Sequence, residues 1–301
     1  MRFSAFANAL RLTLSACLAL ALALPGHALA AHGDKAPDKT GILLVVFGTT
    51  VPEAATAYGA LKAQVEKAFP GAPVRLAYTS AHARMTAKSE AAKDLPSPAR
   101  ALALMADEGF THVAVQSMHV MPGREFHDLA ATVHAMEGLP KGLKKVGLGL
   151  PLLSGDADLK AAAEALVDGA RSSGKRSEAL VFVGHGTEHA ATMAYPALQY
   201  FLWKKDRLAL VGTIDSSPSL EDVLAELKSR KPSSVRLIPL LSVAGDHAVN
   251  DIGGGEKDSW KNTINAAGLP CTADLRGLIE RPKVVALWIE HLRAALKELD
   301  H

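Results

Sequence analysis

The sequence predicts an α/β fold of two similar, doubly wound lobes with parallel sheets and a cleft between them. Three observations predict it. Short apolar, partly β-branched runs alternate with helix-length segments, the pattern of βαβ units with right-handed crossovers. The second half of the chain repeats local motifs of the first. Two histidines stand just after apolar runs, His185 in Leu180-Val181-Phe182-Val183-Gly184-His185-Gly186-Thr187 and His247 at the end of Val235 to His247. Ligands collect at that end of the strands in an open parallel sheet.

The first thirty residues read as a cleavable secretory signal. Arg2 and Arg11 make a basic start, Leu12 to Pro25 is almost wholly apolar, and Ala28-Leu29-Ala30 offers a small-residue cleavage site. This run is too short for a membrane span, so the expected product is periplasmic and spans no membrane. Leu14-Ser15-Ala16-Cys17 loosely resembles a lipoprotein box, but Arg11 leaves too short an apolar run before Cys17. Residues 31–40 are polar and without periodicity, which predicts a flexible arm.

Gly41 to Phe47 is a dense apolar run ended by Gly48-Thr49-Thr50, a buried strand entering a loop. Helical spacing follows over 52–69, with Pro52 near the first turn. The same reasoning places further strands at 74–79, 112–118, 144–150, 179–184, 208–213 and 234–241. Further helices fall at 98–108, 123–136, 156–172, 189–204, 218–230, 257–267 and 282–299. The polar stretch 172–177 divides an N-terminal lobe, 41–176, from a C-terminal lobe, 177–301, that carries the expected metal ligands.

The repeat is specific. Phe47-Gly48-Thr49 and the following Ala54 to Leu61 match His185-Gly186-Thr187 and the following Ala190 to Leu198. Val113 to Gly123 matches Val235 to Gly245, and Gly123-Arg124-Glu125 then stands against Gly245-Asp246-His247. His185 therefore takes the place of Phe47, and His247 the place of Glu125. With the lobes facing each other, all four positions open toward one cleft.

Composition excludes some functions. Removing residues 1–30 takes away Arg2 and Arg11 and leaves 31 basic and 31 acidic residues, so charge gives no case for a nucleic-acid partner. Cys17 leaves with the signal. Cys271 is then alone, no intrachain disulfide can form, and the thiol reads as a small buried hydrophobe.

A third ligand is expected beside two histidines. The strand between them, Leu208 to Ile214, ends at Asp215. Two imidazoles and a carboxylate suit a divalent first-row metal such as Co²⁺, Fe²⁺, Ni²⁺ or Zn²⁺ and leave coordination positions open. Asp215 also fits a helix N-cap signal, with Ser216-Ser217-Pro218-Ser219 after it. Glu125 also fits a first-turn partner of its helix dipole. Gly253-Gly254-Gly255 reads either as a flexible rim of the cleft or as a plain loop.

Val-Gly-His-Gly-Thr, Val-Gly-Thr-Ile-Asp, Pro-Leu-Leu-Ser-Val-Ala-Gly-Asp-His-Ala and Val-Gln-Ser-Met-His-Val-Met-Pro-Gly together resemble the anaerobic sirohydrochlorin cobaltochelatases. The likeness runs over roughly 41–299 and is closest to the exported, periplasmic branch. It implies the bilobal fold shared with ferrochelatases. It also implies a lyase that inserts Co²⁺, or Fe²⁺, into a tetrapyrrole with loss of two pyrrole protons. Under this resemblance His185 and His247 match metal-binding histidines. Asp215 stands where the family commonly has Glu, one methylene longer, and Glu125 matches an acidic residue across the cleft. His185 is the best proton acceptor and Glu125 the second. Sirohydrochlorin carries many carboxylates, for which Arg84, Lys88 and Arg124 on expected cleft loops are candidate partners.

Twelve histidines are many for 301 residues. His119, at the end of a strand, matches the resemblance and lines the expected cleft, and His189 is a candidate support for a metal ligand. His127 and His134 share a face of one helix, read as a wet face. The sharper reading makes His127 the ligand of a second metal or a haem iron at a subunit contact. A homo-oligomer is expected. Two other functions fit less well. One is an exported metal or haem carrier that kept this fold. The other is a zinc hydrolase, which lacks a nucleophile elbow or a His-Glu-x-x-His motif here.

Overall fold

A computed structural model describes residues 37–86, 95–246 and 248–300. The expected signal, most of the arm, Lys88 and His247 lie outside the described residues. Residues 38–301 form one compact unit.

Among the described residues, eight strands make two four-stranded parallel sheets. The first holds β1 (Thr40–Val46), β2 (Val74–Tyr78), β3 (His112–Ser117) and β4 (Lys145–Gly149) in the order β2-β1-β3-β4. The second holds β5 (Glu178–Gly184), β6 (Ala209–Thr213), β7 (Ser234–Pro239) and β8 (Cys271–Ala273) in the order β6-β5-β7-β8. The orders are the same once strands are numbered within each half. The register repeats as well, Val45 pairing with Ser117 and Val183 with Pro239.

The helices are α1 (Pro52–Ala68), α2 (Ala81–Thr86), α3 (Pro98–Asp107), α4 (Arg124–Met136) and α5 (Asp156–Arg171) in the first half. The second half has α6 (Ala194–Lys205), α7 (Leu220–Arg230), α8 (Trp260–Ala266) and α9 (Pro282–Glu298). Both faces of each sheet are covered, so the strands read as continuous apolar runs. Alternation along a strand divides the layers. Leu43 and Val45 pack under α3 and α4, while Ile42, Leu44 and Val46 join a central core. In the second sheet Val181 and Val183 pack toward α7 and α8, and Leu180 and Phe182 join that same central core.

Helix α9 does not stay with the second half. It packs on β3 and β4 of the first sheet and against α5, burying Val284, Val285, Trp288 and Leu292. Gly147 in β4 permits this, because a Cβ there would sit 2.3 Å from the Ala295 carbonyl oxygen. His291 pins the helix, its Nδ1 2.9 Å from the Leu150 carbonyl and its Nε2 3.1 Å from Asp158 Oδ1. The divide at 176/177 thus separates the two sheets in sequence, while the last helix returns across it.

One further finding corrects the sequence reading and a second chooses between its alternatives. Asp38–Thr40 are anchored and are not part of a loose arm. Thr40 pairs with His112 in the sheet, the Lys39 amide donates to Thr111 Oγ1 at 3.0 Å, and Asp38 pairs with Lys144. The Gly253–Gly255 run is a plain loop, the second of its two readings, and side chains of α8 hold it. Lys261 Nζ donates to the Gly253 carbonyl at 3.0 Å, and Asn262 Nδ2 donates to the Gly255 carbonyl at 3.0 Å.

Candidate metal centre

The carboxyl ends of β5 and β6 are adjacent, and each delivers one side chain. His185 follows β5 and Asp215 follows β6, with His185 Nδ1 3.2 Å from Asp215 Oδ2. The backbone fixes this pairing, since the Asp215 amide donates to the His185 carbonyl at 2.8 Å. Gly186 turns the chain sharply after the histidine at φ +94°, a conformation that favours glycine. Its amide donates to the Tyr195 hydroxyl at 3.2 Å, so α6 holds the turn from below. A carboxylate beside Nδ1 favours the tautomer with the proton there, which puts the ring's lone pair on Nε2. Both side chains are roughly half exposed, as an exchangeable ion requires.

Ser219, and not Asp215, caps the following helix. Its Oγ accepts from the Asp222 amide at 3.3 Å, and Asp222 Oδ2 accepts from the Ser219 amide at 2.8 Å. Asp215 is therefore available to the histidine side of the turn. His247, the third expected ligand, lies outside the described residues. Among the described residues no group of three or more His, Cys, Asp or Glu is gathered closely enough to hold a metal ion.

The two carboxyl edges face one another across the halves. Thr50, in the loop after β1, donates from Oγ1 to Asp246 Oδ2 at 2.9 Å. Ser242, after β7, donates to the Met118 carbonyl after β3. The ring of His127, in α4, lies 5.3 Å from that of His189, after β5. The loops that carry the expected ligands thus meet the loops of the first half. Sequence reasoning missed the Thr50–Asp246 contact. Its only signal was the polar Thr49-Thr50 pair ending an apolar strand.

A family model described as cobalt chelatase (CbiK) matches residues 40–297. The chain belongs to the cobalt chelatase (CbiK) family. It is 40% identical over 262 residues to the sirohydrochlorin cobaltochelatase CbiKC of Nitratidesulfovibrio vulgaris Hildenborough, covering 87% of this chain and 92% of that one. It is 33% identical over 259 residues to the sirohydrochlorin cobaltochelatase of Salmonella typhimurium LT2, covering 86% and 97%. Among solved structures, the sirohydrochlorin chelatase SirB of Bacillus subtilis subspecies spizizenii in complex with cobalt shares the fold. Its TM-score is 0.58 at 13% identity, over 87% of this chain and 97% of that one. CbiX, a terminal enzyme of sirohaem biosynthesis in denitrifying bacteria, aligns with TM-score 0.53 at 20% identity, over 85% and 99%.

The other site residues of this CbiK-family chain divide by environment. Glu125 lies in the first turn of α4, partly exposed, two residues before His127. Arg124 is exposed at the first position of the same helix. Arg84 is committed in part to its own half, its Nη1 donating to the carbonyls of Tyr78 at 2.6 Å and Thr79 at 2.9 Å. His119 is buried, with Nδ1 2.8 Å from Ser117 Oγ and Nε2 3.4 Å from Thr79 Oγ1. Burial pushes its imidazole down to about 4, so it is neutral near pH 7 and ties the ends of β2 and β3. His189 is N-cap of the 3₁₀ turn Ala190–Met193, its Nδ1 accepting from the Ala191 amide at 3.1 Å, which leaves the proton on Nε2. The reading of His127 as ligand of a second metal or a haem iron gains no support from these relatives, whose names give cobalt and sirohydrochlorin.

Proposed function

We infer that the protein is a sirohydrochlorin cobaltochelatase, inserting Co²⁺ into the tetrapyrrole and releasing two pyrrole protons. The single observation that carries this reading is the His185–Asp215 pair on adjacent strand ends, in a chain of the cobalt chelatase family. Co²⁺ and the macrocycle are both substrates. Insertion needs an ion held by few protein ligands, so that pyrrole nitrogens can displace them one at a time. His185, His247 and Asp215 hold the ion on one face, with Asp215 steering the His185 ring. As each nitrogen takes the ion, its proton leaves. His185, released from the metal, accepts one, and Glu125 in the facing helix accepts the other. Arg124, exposed at the start of the facing helix, is assigned to the wall of the substrate cleft, while the expected wall residues His119 and Arg84 are instead a buried tie between strand ends and a guanidinium turned onto its own backbone. The signal-like residues 1–30 support export to the periplasm.

The test is metal-dependent turnover of sirohydrochlorin, followed by its visible spectrum, for the parent protein and for His185→Ala and His247→Ala. The parent should form Co-sirohydrochlorin, and each variant should lose most of that rate. Full activity in both variants would remove these residues from the site. Stoichiometric binding without metallated product would identify a carrier instead. Parallel assays with Fe²⁺ give the metal preference.

A further inference from the structure

The internal two-fold likeness pairs the His185 turn and Asp215 with positions in the other half. The Ser80 amide donates to the Phe47 carbonyl at 3.0 Å, as the Asp215 amide donates to that of His185 at 2.8 Å. Gly48 turns the chain at φ +106°, as Gly186 does at φ +94°. Phe47 is thus the structural counterpart of His185, at the carboxyl end of β1. Its setting is unusual. The six residues before it, Gly41 to Val46, are buried, and so are Gly48 and Thr49 after it, yet Phe47 is 49% exposed. The ring is turned out of the core that its neighbours fill and lies at the carboxyl edge of the sheet, where ligands of a parallel sheet collect. The loop that carries it continues to Thr50, whose hydroxyl reaches the Asp246 carboxylate beside His247. Phe47 therefore stands at the junction of the two carboxyl edges, with the metal ligands on the opposing half.

We propose that Phe47 is a substrate-contacting residue whose ring provides the apolar face for the flat, conjugated macrocycle, opposite the half that presents the metal. This rests on the chelatase reading above and adds to it. The repeat then divides the labour: one half supplies imidazole and carboxylate for the ion, and the matching position of the other supplies an aromatic face for the ring. Stacking on an aromatic side chain tolerates varied substituents, because it uses the π-face and not the edge.

The test compares the parent with Phe47→Ala and Phe47→Tyr. Three quantities are measured: the Kd for metal-free sirohydrochlorin from its visible absorbance, the KM and kcat for metallation, and the Kd for Co²⁺ alone. Phe47→Ala should raise Kd and KM for the macrocycle about ten-fold, with Co²⁺ affinity unchanged. Phe47→Tyr should restore parental values, since it keeps the ring. Parental macrocycle affinity in Phe47→Ala would overturn the proposal, and so would an equal loss of cobalt affinity. If the parent itself fails to metallate sirohydrochlorin, the chelatase reading falls and takes this assignment with it. If the parent turns over and Phe47→Ala does so equally well, only the role of Phe47 falls.

Discussion

Replacing Gly186 by alanine should damage the metal site more than it damages the fold. A Cβ at residue 186 would lie 2.8 Å from Ser216 Cβ, 2.9 Å from the Ser216 nitrogen and 3.1 Å from the Asp215 carbonyl carbon. Two of those three atoms are backbone, so no rotamer change relieves the contact, and the β6 turn must move away from the β5 turn. The left-handed conformation adds about 1–2 kcal/mol for any L side chain. At about 2 °C per kcal/mol for a chain of this size, that strain alone should lower the melting temperature by about 2–4 °C, and the contact adds to it. Moving Asp215 away from His185 disturbs the carboxylate that orients the ring, a loss worth about 10–100-fold in metal affinity.

The repeat supplies the control. Gly48→Ala meets the same strain at φ +106°, with Ala83 Cβ and Tyr78 Cδ2 both 2.8 Å away, but no expected metal ligand sits on that turn. Calorimetry should show a similar melting loss for the two variants. A Co²⁺ titration read by visible absorbance should show weakened binding in Gly186→Ala alone. Equal cobalt affinity in the two variants would refute the link between the Gly186 turn and the ion.

Two further outcomes follow from buried groups. His119 titrates at about 4 in the folded protein, below its ordinary 6.5, so protonation favours the unfolded chain. Its effect is absent above about pH 6.5, and stability falls by about 3 kcal/mol as pH drops toward 4. Urea unfolding at several pH values should show that slope reduced in His119→Asn, and an unchanged slope would mean another group is responsible. Burial raises the Cys271 thiol to about 12, so a thiol reagent at pH 8 should label native protein only as fast as the chain opens. Rapid stoichiometric labelling of the native protein would contradict that burial.

The strands were legible because each buried strand is a dense apolar run of its own. The run over 234–241 became β7, Ser234–Pro239, and that over 144–150 became β4, Lys145–Gly149. Strand β8 was not legible. It spans three residues, Cys271–Ala273, too few to carry a period. Helix α2, Ala81–Thr86, was missed for the same reason, since it buries only Ala83. The segment 189–204 reads as one helix but splits into a 3₁₀ turn, Ala190–Met193, and α6, because His189 caps the turn through its side chain. In the site, His185 and Asp215 were legible because each directly ends an apolar run. The Thr50–Asp246 bond joins residues 196 positions apart, and no local pattern encodes such a contact. The commitment of Arg84 to the carbonyls of Tyr78 and Thr79 was hidden likewise, because charge alone does not say whether a guanidinium faces a ligand or its own backbone.

Because α9 covers β3 and β4, one face of the first sheet lacks its cover until residues 282–298 have been synthesised. Trp288, almost fully buried there, follows all eight strands in the chain. During translation the early half must therefore persist with an uncovered apolar surface, a target for chaperones and a liability for aggregation. Cutting the chain between the sheets would yield two fragments that each lack a wall, so the halves should melt together and resist separate expression.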